Sequence, residues 1–293
     1  MRGDPEFMGQ PGTFWALVRT LSETIGYTHR ARRGAPKGSG TLKVHSASDQ
    51  ASALQSLGLD PELVFKHNRA TELGNRLARY FEYRAAVLHD KVRPNLMTME
   101  QARESFLAKR EQLIPSCPLP MNKQKGEKRG PAYLTGLVNM LVQEAIGDLP
   151  CNYDPRQLTT FTRDGIPLRT LARRVDGAFP SVVNPIGIWE IKEYYYTTTF
   201  GSRVADGVYE TLLDGTELEE LYRSEGIRAE HVLFIDAYYT WWICGKSYLC
   251  RMIDMLNMGL VSEIVFGREV LDRVPALAQE WVKIHQSRLQ AGH

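Results

Sequence analysis

The sequence lacks the features that mark membrane, secreted and disulfide-stabilised proteins. No run approaches the roughly 18 consecutive apolar residues of a membrane span, and no secretory leader is visible. The four cysteines, which suggest no disulfide framework in a chain of 293 residues and show no paired zinc spacing, are Cys117, Cys151, Cys244 and Cys250. These absences favour a reduced, cytoplasmic protein without a membrane partner.

Several common catalytic motifs are also missing. The chain contains no Gly-x-Ser-x-Gly elbow, no Gly-x-x-x-x-Gly-Lys-Ser/Thr phosphate loop and no His-Glu-x-x-His pair, and its seven histidines do not cluster. The sequence therefore gives no support to a serine hydrolase, a P-loop nucleotidase or a zinc protease of these types.

Net charge is low at +2, so any affinity for nucleic acid has to come from local basic clusters. Two such clusters lie in glycine-containing segments, at 29–43 and at 122–129. Their basic candidates for DNA contact are Arg30, Arg32, Arg33, Lys37, Lys123, Lys125, Lys128 and Arg129. Either cluster alone is also consistent with a solvated loop. Beside a site that acts on a phosphate group, contact with phosphates becomes the better interpretation.

An apolar content of 43% and a charged content of 24% are ordinary for a globular chain that forms one large domain or two. Residues 1–7 precede a second methionine and are interpreted as an expression scar. Residues 8–130 are predicted to be mainly helical, with one helix at 13–25. A longer helix starts at Asp60-Pro61 and runs towards His89 with a break near Gly74, and a third is capped by Thr98. This region could read DNA, form a dimer or buttress the core.

From Pro131 onwards helices alternate with strands, which predicts a mixed α/β (α+β) fold over 131–293. The predicted order is helix 131–146, strands 158–163, 171–179 and 186–192, helix 203–223, strand 231–239, helix 245–258, strand 262–266 and helix 268–289. The Asp214-Gly215 pair is expected to interrupt the 203–223 helix.

Charged residues lie within the strands at 171–179 and 186–192, which form a predicted hairpin. Strand alternation places Glu190 and Lys192 on one face, where they face Asp176 of the neighbouring strand. Two carboxylates can hold Mg²⁺ for phosphodiester hydrolysis, and an ammonium beside them can orient the attacking water. A cross-strand salt bridge is the structural alternative.

Asp176 followed by Glu190-Ile191-Lys192 resembles the Asp…Glu-x-Lys signature of the PD-(D/E)xK nuclease superfamily. Val175 stands where the proline that gives the superfamily the P in its name would be. The element order from 131 also resembles its restriction endonuclease-like αβββαβ core. The resemblance implies Asp176 and Glu190 as Mg²⁺ ligands, the backbone carbonyl of Ile191 as a further ligand, and Lys192 as the catalytic lysine. It also offers Glu144 as a further metal ligand, with a solvent-facing charge as the alternative.

The function implied by this resemblance is that of a Mg²⁺-dependent, sequence-specific deoxyribonuclease. It would be a type II restriction endonuclease in the cytoplasm of a prokaryotic-type cell, acting on double-stranded DNA as a homodimer and leaving 5′-phosphate ends. Alternatives are a repair or defence nuclease of the same fold and a catalytically silent nucleic-acid-binding module. Tyr194 and Tyr196 are further candidates for DNA contact, Asp236 is interpreted as structural, and Arg173 and Arg174 receive no role.

Overall fold

The computed structural model describes residues 1–29, 31–122, 126, 129–196 and 202–291. The N-terminal half is mainly helical, as the sequence predicts. Its elements in chain order are α1 (Gly12–Ile25), α2 (Ala47–Ser56), a 3-10 turn (Pro61–Leu63), β1 (Phe65–Lys66), β2 (Arg69–Ala70), α3 (Glu72–Val87), a π-helical turn (Leu88–Val92), α4 (Arg93–Asn95) and α5 (Met99–Leu113). The capping box of Thr98 and Gln101 begins α5, as predicted.

The predicted long helix from Asp60 is wrong in its first part. Asp60 caps only the 3-10 turn, a short hairpin of β1 and β2 follows, and Thr71 caps α3. Gly74 lies inside the first turn of α3 without breaking it. A Cβ there would lie 2.1 Å from the carbonyl oxygen of Val64, so glycine allows a close backbone approach.

The C-terminal half is a mixed α/β unit. Its elements are α6 (Tyr133–Ile146), β3 (Asn152–Tyr153), β4 (Thr160–Arg163), β5 (Ile166–Thr170), β6 (Gly177–Phe179), β7 (Gly187–Glu193), α7 (Ser202–Glu225), β8 (Glu230–Asp236), a π-helical turn (Tyr239–Cys244), α8 (Lys246–Asn257), β9 (Glu263–Phe266), a 3-10 turn (Gly267–Glu269) and α9 (Val270–Ala291). The α7 helix continues through Asp214-Gly215, contrary to the expected interruption.

The central sheet has the strand order β3-β6-β7-β8-β9. The β3–β6 and β6–β7 pairs are antiparallel, whereas β7–β8 and β8–β9 are parallel. In this mixed sheet, β7 has an antiparallel neighbour on one side and a parallel one on the other. The mixed α/β class is therefore confirmed at the level of sheet and helices.

Two predicted strands differ from the structure. The segment at 160–163 leaves the central sheet and pairs with β5 in a separate hairpin, and the two-residue β3 pairs with β6 instead. The expected strand at 171–179 is a regular strand only from Gly177 to Phe179. Leu171 and Val175 are buried, and their spacing fits the two-residue period of a strand. The backbone that carries them is nevertheless irregular.

Helices cover both faces of the sheet. On one face, α6 and α9 pack against Val232, Phe234 and Trp189, whose ring stacks on Trp281 at a centroid distance of 5.6 Å. On the other face, α7 and α8 pack against Leu233 and Ile235. Within the described residues, no helix has the length and apolar content needed to cross a membrane.

Residues 1–7, which the sequence led us to set aside, pack against the folded chain. Phe7 is 2% exposed and contacts the rings of Tyr80 and Tyr83, and Arg2 pairs with Glu263. These residues are therefore part of the fold.

Candidate functional site

The β7 strand presents two sets of side chains to opposite faces of the sheet. Trp189 contributes to the core under α6 and α9, whereas Glu190 and Lys192 face the α7 side together with Ile188. Glu190 is 1% exposed and Lys192 is 4% exposed. The Lys192 ammonium donates to Glu190 Oε2 at 3.0 Å, so the two charges form a buried pair on the face that strand alternation predicts.

Asp176 lies directly before β6 and joins this pair through the backbone. Its amide donates to the carbonyl of Trp189 at 3.0 Å, and its Oδ2 accepts the amide of Ile191 at 2.7 Å. A Cβ on Gly177 would lie 2.0 Å from the Trp189 ring, so the residue after Asp176 has to be glycine for β6 to approach β7 this closely. The carboxylate is thereby fixed beside Glu190.

Arg173, to which sequence reasoning gave no role, lies within the same cluster. Its guanidinium donates to Asp214 Oδ2 at 2.7 Å, to Glu190 Oε2 at 3.1 Å and to Glu210 Oε2 at 3.3 Å. Alternation along a strand could not place it there, because residues 171–176 are not a regular strand.

Two acids from α7 complete the cluster, and both were missed from the sequence. Glu210 and Asp214 are spaced i,i+4 and therefore lie on one helical face. Glu210 Oε2 accepts from Lys192 at 2.7 Å, and Asp214 is fully buried. A Cβ on Gly207 would lie 3.5 Å from Lys192 Cδ, an ordinary contact distance, so this part of α7 lies directly against Lys192. Asp214 follows the same helical phase as the inward-facing Leu218 and Leu221, which was the available signal.

The acids of the cluster have divergent proton affinities. Burial, together with the nearby Glu190 charge, raises the pKa of Asp176 to about 7. Burial also raises the pKa of Asp214 to about 7, despite its bond to Arg173. Burial alone would raise the pKa of Glu190, but Lys192 and Arg173 outweigh it and hold that pKa below its ordinary value. Of these three acids, Glu190 is therefore the one whose ionised form is favoured.

The cluster is acid-rich and incompletely hydrogen-bonded. Among the described residues, four carboxylates face two cations, which leaves two negative charges when every one of these groups is ionised. Glu190 Oε1 lies 2.9 Å from Arg173 Nη1 without hydrogen-bond geometry, and within the described part of the chain neither it nor the buried Asp214 Oδ1 has a hydrogen-bond partner. Buried oxygens without a hydrogen bond can accept one from a ligand or a solvent molecule.

These oxygens suit Mg²⁺, a hard cation that commonly takes one or two protein carboxylates and fills its remaining positions with water and substrate phosphate. Across the described part of the chain, no group of three or more His, Cys, Asp and Glu side chains is arranged to hold a metal ion. The resemblance implies Asp176, Glu190 and the Ile191 carbonyl as ligands, and of these the structure brings the two carboxylates into one cluster.

Glu144, offered as a further metal ligand, is not brought to the cluster. It is an exposed residue of α6, and α6 covers the Trp189 face of the sheet rather than the Glu190 face. Its position matches the alternative of a solvent-facing charge. On that same face, Glu193 accepts from the backbone amide of Thr135 at 2.9 Å, and burial raises the pKa of Glu193 to about 7.

The aromatic candidates after β7 divide between the two faces. Tyr194 packs against Trp241, and its hydroxyl oxygen is among the nearest atoms to Gly207 of α7, which places it beside Lys192. Tyr196 packs against Tyr133 on the α6 face. Asp236 accepts from the backbone amides of Met97 and Ala237 and from the Tyr195 hydroxyl, so it anchors the chain before α5. This agrees with the structural role assigned to it.

The basic candidates are only partly described. Arg32, Arg33 and Arg129 are exposed, and Lys37 donates to the Tyr239 hydroxyl at 2.9 Å. This hydrogen bond attaches the first basic segment to the turn that follows β8. The four candidates that lie outside the described residues are Arg30, Lys123, Lys125 and Lys128.

Comparison with known proteins gives two family matches. Residues 1–91 match the family model described as Domain of unknown function (DUF7690), and residues 97–281 match the one described as Domain of unknown function (DUF7687). The two matched segments meet between α3 and α5, whereas the sequence placed a boundary at 130. No curated protein and no solved structure matches the chain. The DUF7687 match, over residues 97–281, spans more than half of the chain, so the chain belongs to the DUF7687 family.

Proposed function

We propose that this chain is a Mg²⁺-dependent DNA endonuclease that hydrolyses phosphodiester bonds at the cluster of Asp176, Glu190 and Lys192. The observation that carries the proposal is the convergence of these residues, with a Lys192–Glu190 distance of 3.0 Å and buried oxygens of Glu190 and Asp214 that have no hydrogen bond within the described residues. A structural salt bridge needs neither a surplus of acid nor orphaned oxygens, whereas a site that receives a cation and a phosphate uses both.

In this proposal Asp176, Glu190 and the Ile191 carbonyl hold the cation. The bound Mg²⁺ supplies Lewis-acid activation of the phosphoryl group and a water of lowered pKa. The pair to Glu190 and the bond to Glu210 outweigh burial and raise the pKa of Lys192, so its ammonium stays charged. Two of its protons go to these carboxylates, and among the described residues the third has no partner. That proton is available to the attacking water or to a phosphate oxygen.

The proposed substrate is double-stranded DNA, and the proposed products carry 5′-phosphate ends. Exposed cations at Arg32, Arg33 and Arg129 would contact the phosphate backbone, which contributes affinity rather than sequence preference. Restriction-type cleavage of both strands at a palindromic site would use a two-fold symmetric homodimer. A repair or defence nuclease would use the same catalytic cluster on a different substrate.

The test is cleavage of a long, sequence-diverse, unmethylated duplex in Mg²⁺, with EDTA as the metal-free control. We expect Asp176→Asn to lose at least about a hundredfold in rate, as for removal of a catalytic group. Asp164→Asn is the matched control, because Asp164 is exposed in the turn between β4 and β5 and has a left-handed φ of 52° that asparagine tolerates.

Each result separates one reading from the others. Discrete fragments that require Mg²⁺ and are lost only in the Asp176 variant support a sequence-specific endonuclease. A smear with the same dependence supports a nonspecific nuclease. Salt-dependent binding without cleavage supports the catalytically silent binding module, and absence of both binding and cleavage contradicts the proposal.

A further inference from the structure

A cavity of about 480 Å³ lies between the first basic segment, the end of α3 and the turn at 239–244. Among the described residues, three cationic side chains line it, Lys37, Arg93 and Lys246, together with His89, whose Nε2 lies 3.3 Å from Arg93 Nη1. Among the described residues, no aspartate or glutamate lines it. Such a concentration of one charge sign around a concave space attracts an anion.

Lys246 is the unusual member of this set, because it is only 8% exposed and yet has no carboxylate partner among the described residues. Its ammonium donates to the carbonyl oxygens of Gly38 and Gly40, and its third proton has no acceptor among the described residues. Buried lysines are normally paired with an acid. Burial and the nearby Arg93 lower the pKa of Lys246, and an anionic ligand beside it would favour its charged form.

The surroundings add to the positive potential. Arg93 is exposed and lies 5.6 Å from the centroid of the Trp242 ring, and Lys246 lies 4.9 Å from the same centroid. The α8 helix begins at Lys246 with no acid in its first turn and no side-chain cap, so the positive end of its dipole is not offset there. Two cations held on one ring beside a helix N-terminus make a fixed anion-binding arrangement.

The rest of the cavity wall suits a flat apolar group. It includes the side chains of Leu42, Ala85, Tyr238 and Ile243. A neighbouring cleft of about 630 Å³ shares Arg93, His89 and Tyr238 and adds Arg268. The acid of this cleft, Asp90, is paired with His89 at 2.8 Å. The two spaces together accommodate a ligand larger than inorganic phosphate.

We propose that this cavity binds a nucleotide, with Lys246 and Arg93 holding its phosphate and the apolar wall receiving its base. The nucleotide can be free or part of a DNA strand, since both present the same phosphate and base chemistry. The turn at 239–244 also contacts the end of β7, because the Trp241 indole donates to the Lys192 carbonyl at 3.3 Å. The inference does not depend on the endonuclease proposal, since it rests on different residues.

The test is titration calorimetry with deoxyadenosine 5′-monophosphate in EDTA, using inorganic phosphate to compete. We expect Arg93→Gln and Lys246→Met each to weaken binding about tenfold or more, as for loss of a charged hydrogen bond. Arg223→Gln is the matched control, because Arg223 is an exposed cation of α7 with its own i,i+4 partner, Glu219. We expect this variant to bind as the wild type does.

A short duplex DNA, titrated in the same buffer, distinguishes the two sources of the nucleotide. Tight binding of the mononucleotide indicates a free ligand, whereas binding of DNA alone, with the same dependence on Arg93, indicates a nucleotide within a strand. If Lys246→Met fails to fold, Arg93→Gln decides, because its side chain is exposed. The proposal is overturned if the wild type binds neither probe, or if both variants bind as the control does. Asp176→Asn should bind the mononucleotide normally, so a failed nuclease proposal leaves this result unchanged.

Discussion

Two buried glutamates on the central sheet have opposite surroundings. Glu263 on β9 has both oxygens hydrogen-bonded, to Arg273 at 2.6 Å and 2.8 Å and to Arg2 at 3.0 Å. Glu190 on β7 also contacts two cations, but one of its oxygens lies 2.9 Å from Arg173 without a hydrogen bond. Within the described residues, three further carboxylates lie around its partners. Their exposed fractions, 3% and 1%, do not distinguish them.

Proton affinity does distinguish the two clusters. Burial would raise the pKa of Glu263, but Arg273, the N-terminal ammonium and Arg2 lower it to about 2. In the other cluster, burial raises the pKa of both Asp176 and Asp214 to about 7. A balanced network stabilises the ionised protein, whereas an acid-rich network destabilises it near neutral pH. Proteins tolerate the second kind mainly where function requires it.

The two clusters therefore have opposite effects on stability as pH changes. The depressed pKa of Glu263 adds stability above its unfolded value of 4.5, and this is lost as pH falls towards 2. The raised pKa of Asp176 means that the folded state holds a proton that the unfolded state has released. Its contribution to stability falls as pH rises from 3.8 towards about 7.

The sharpest test of this contrast makes one substitution in each cluster. We expect Glu263→Gln to destabilise the fold by about 2–3 kcal/mol at pH 7, below the range for a fully buried pair because Arg2 and Arg273 are partly exposed. We expect Glu190→Gln to change stability by less than about 1 kcal/mol, since its removal relieves Asp176 and Asp214 while Arg173 and Lys192 keep other acids. Urea denaturation measures both.

Measuring the stability of the same two variants at lower pH provides an internal control. The effect of Glu263→Gln should shrink as the buffer is acidified below pH 4, where the unfolded glutamate is already protonated. Equal destabilisation by the two variants at pH 7 would contradict the distinction between a balanced and an acid-rich network.

A smaller effect is expected from Arg173→Gln, which removes the cation shared by three acids of the cluster. Lys192 still compensates Glu190, so we expect a loss of about 1–2 kcal/mol at pH 7. Stability should also fall more steeply between pH 4 and pH 7 than in the wild type, because Asp214 loses its partner. Thermal unfolding across this pH range measures both changes.

Arg174→Gln is the matched control for that variant. Arg174 is the next residue, is exposed, and takes no part in the cluster. Its substitution should alter stability by less than about 0.5 kcal/mol, as is usual for surface positions. Similar losses in the two variants would show that Arg173 has no special role.

Much of the central fold follows from sequence periodicity. The alternation through 187–193 and the apolar run of β8 predict two central strands, and the Glu190–Lys192 face follows from the first of them. The β4–β5 hairpin was missed although Asp164-Gly165 is a strong hairpin signal, and both residues adopt positive φ. At two residues, β3 is too short for any pattern to reveal.

Arg173, Glu210 and Asp214, which the sequence analysis missed, could not be found by considering one strand at a time. Arg173 reaches Glu190 because the backbone from 171 to 176 is irregular, and no local rule gives its path. Asp214 could have been found, because it interrupts the inward apolar phase of α7, where an unpaired acid would be costly. The hydrogen bond from the Ile191 amide to Asp176 depends on the register of β6 against β7. The sequence suggested this register only through the predicted hairpin.

The last expected effect runs in the opposite direction. Asp176→Asn should stabilise the metal-free protein by about 1 kcal/mol at pH 8, because it removes a buried charge beside Glu190 while its amide oxygen can still accept from the Ile191 amide. Near pH 4 the wild-type carboxyl is protonated when folded, so the difference should disappear. Urea denaturation at both pH values measures it, with Asp164→Asn as the exposed control. A loss of stability at pH 8 would mean that the Asp176 carboxylate supports the fold. The contrast with Glu263 would then not hold for this proposed metal ligand.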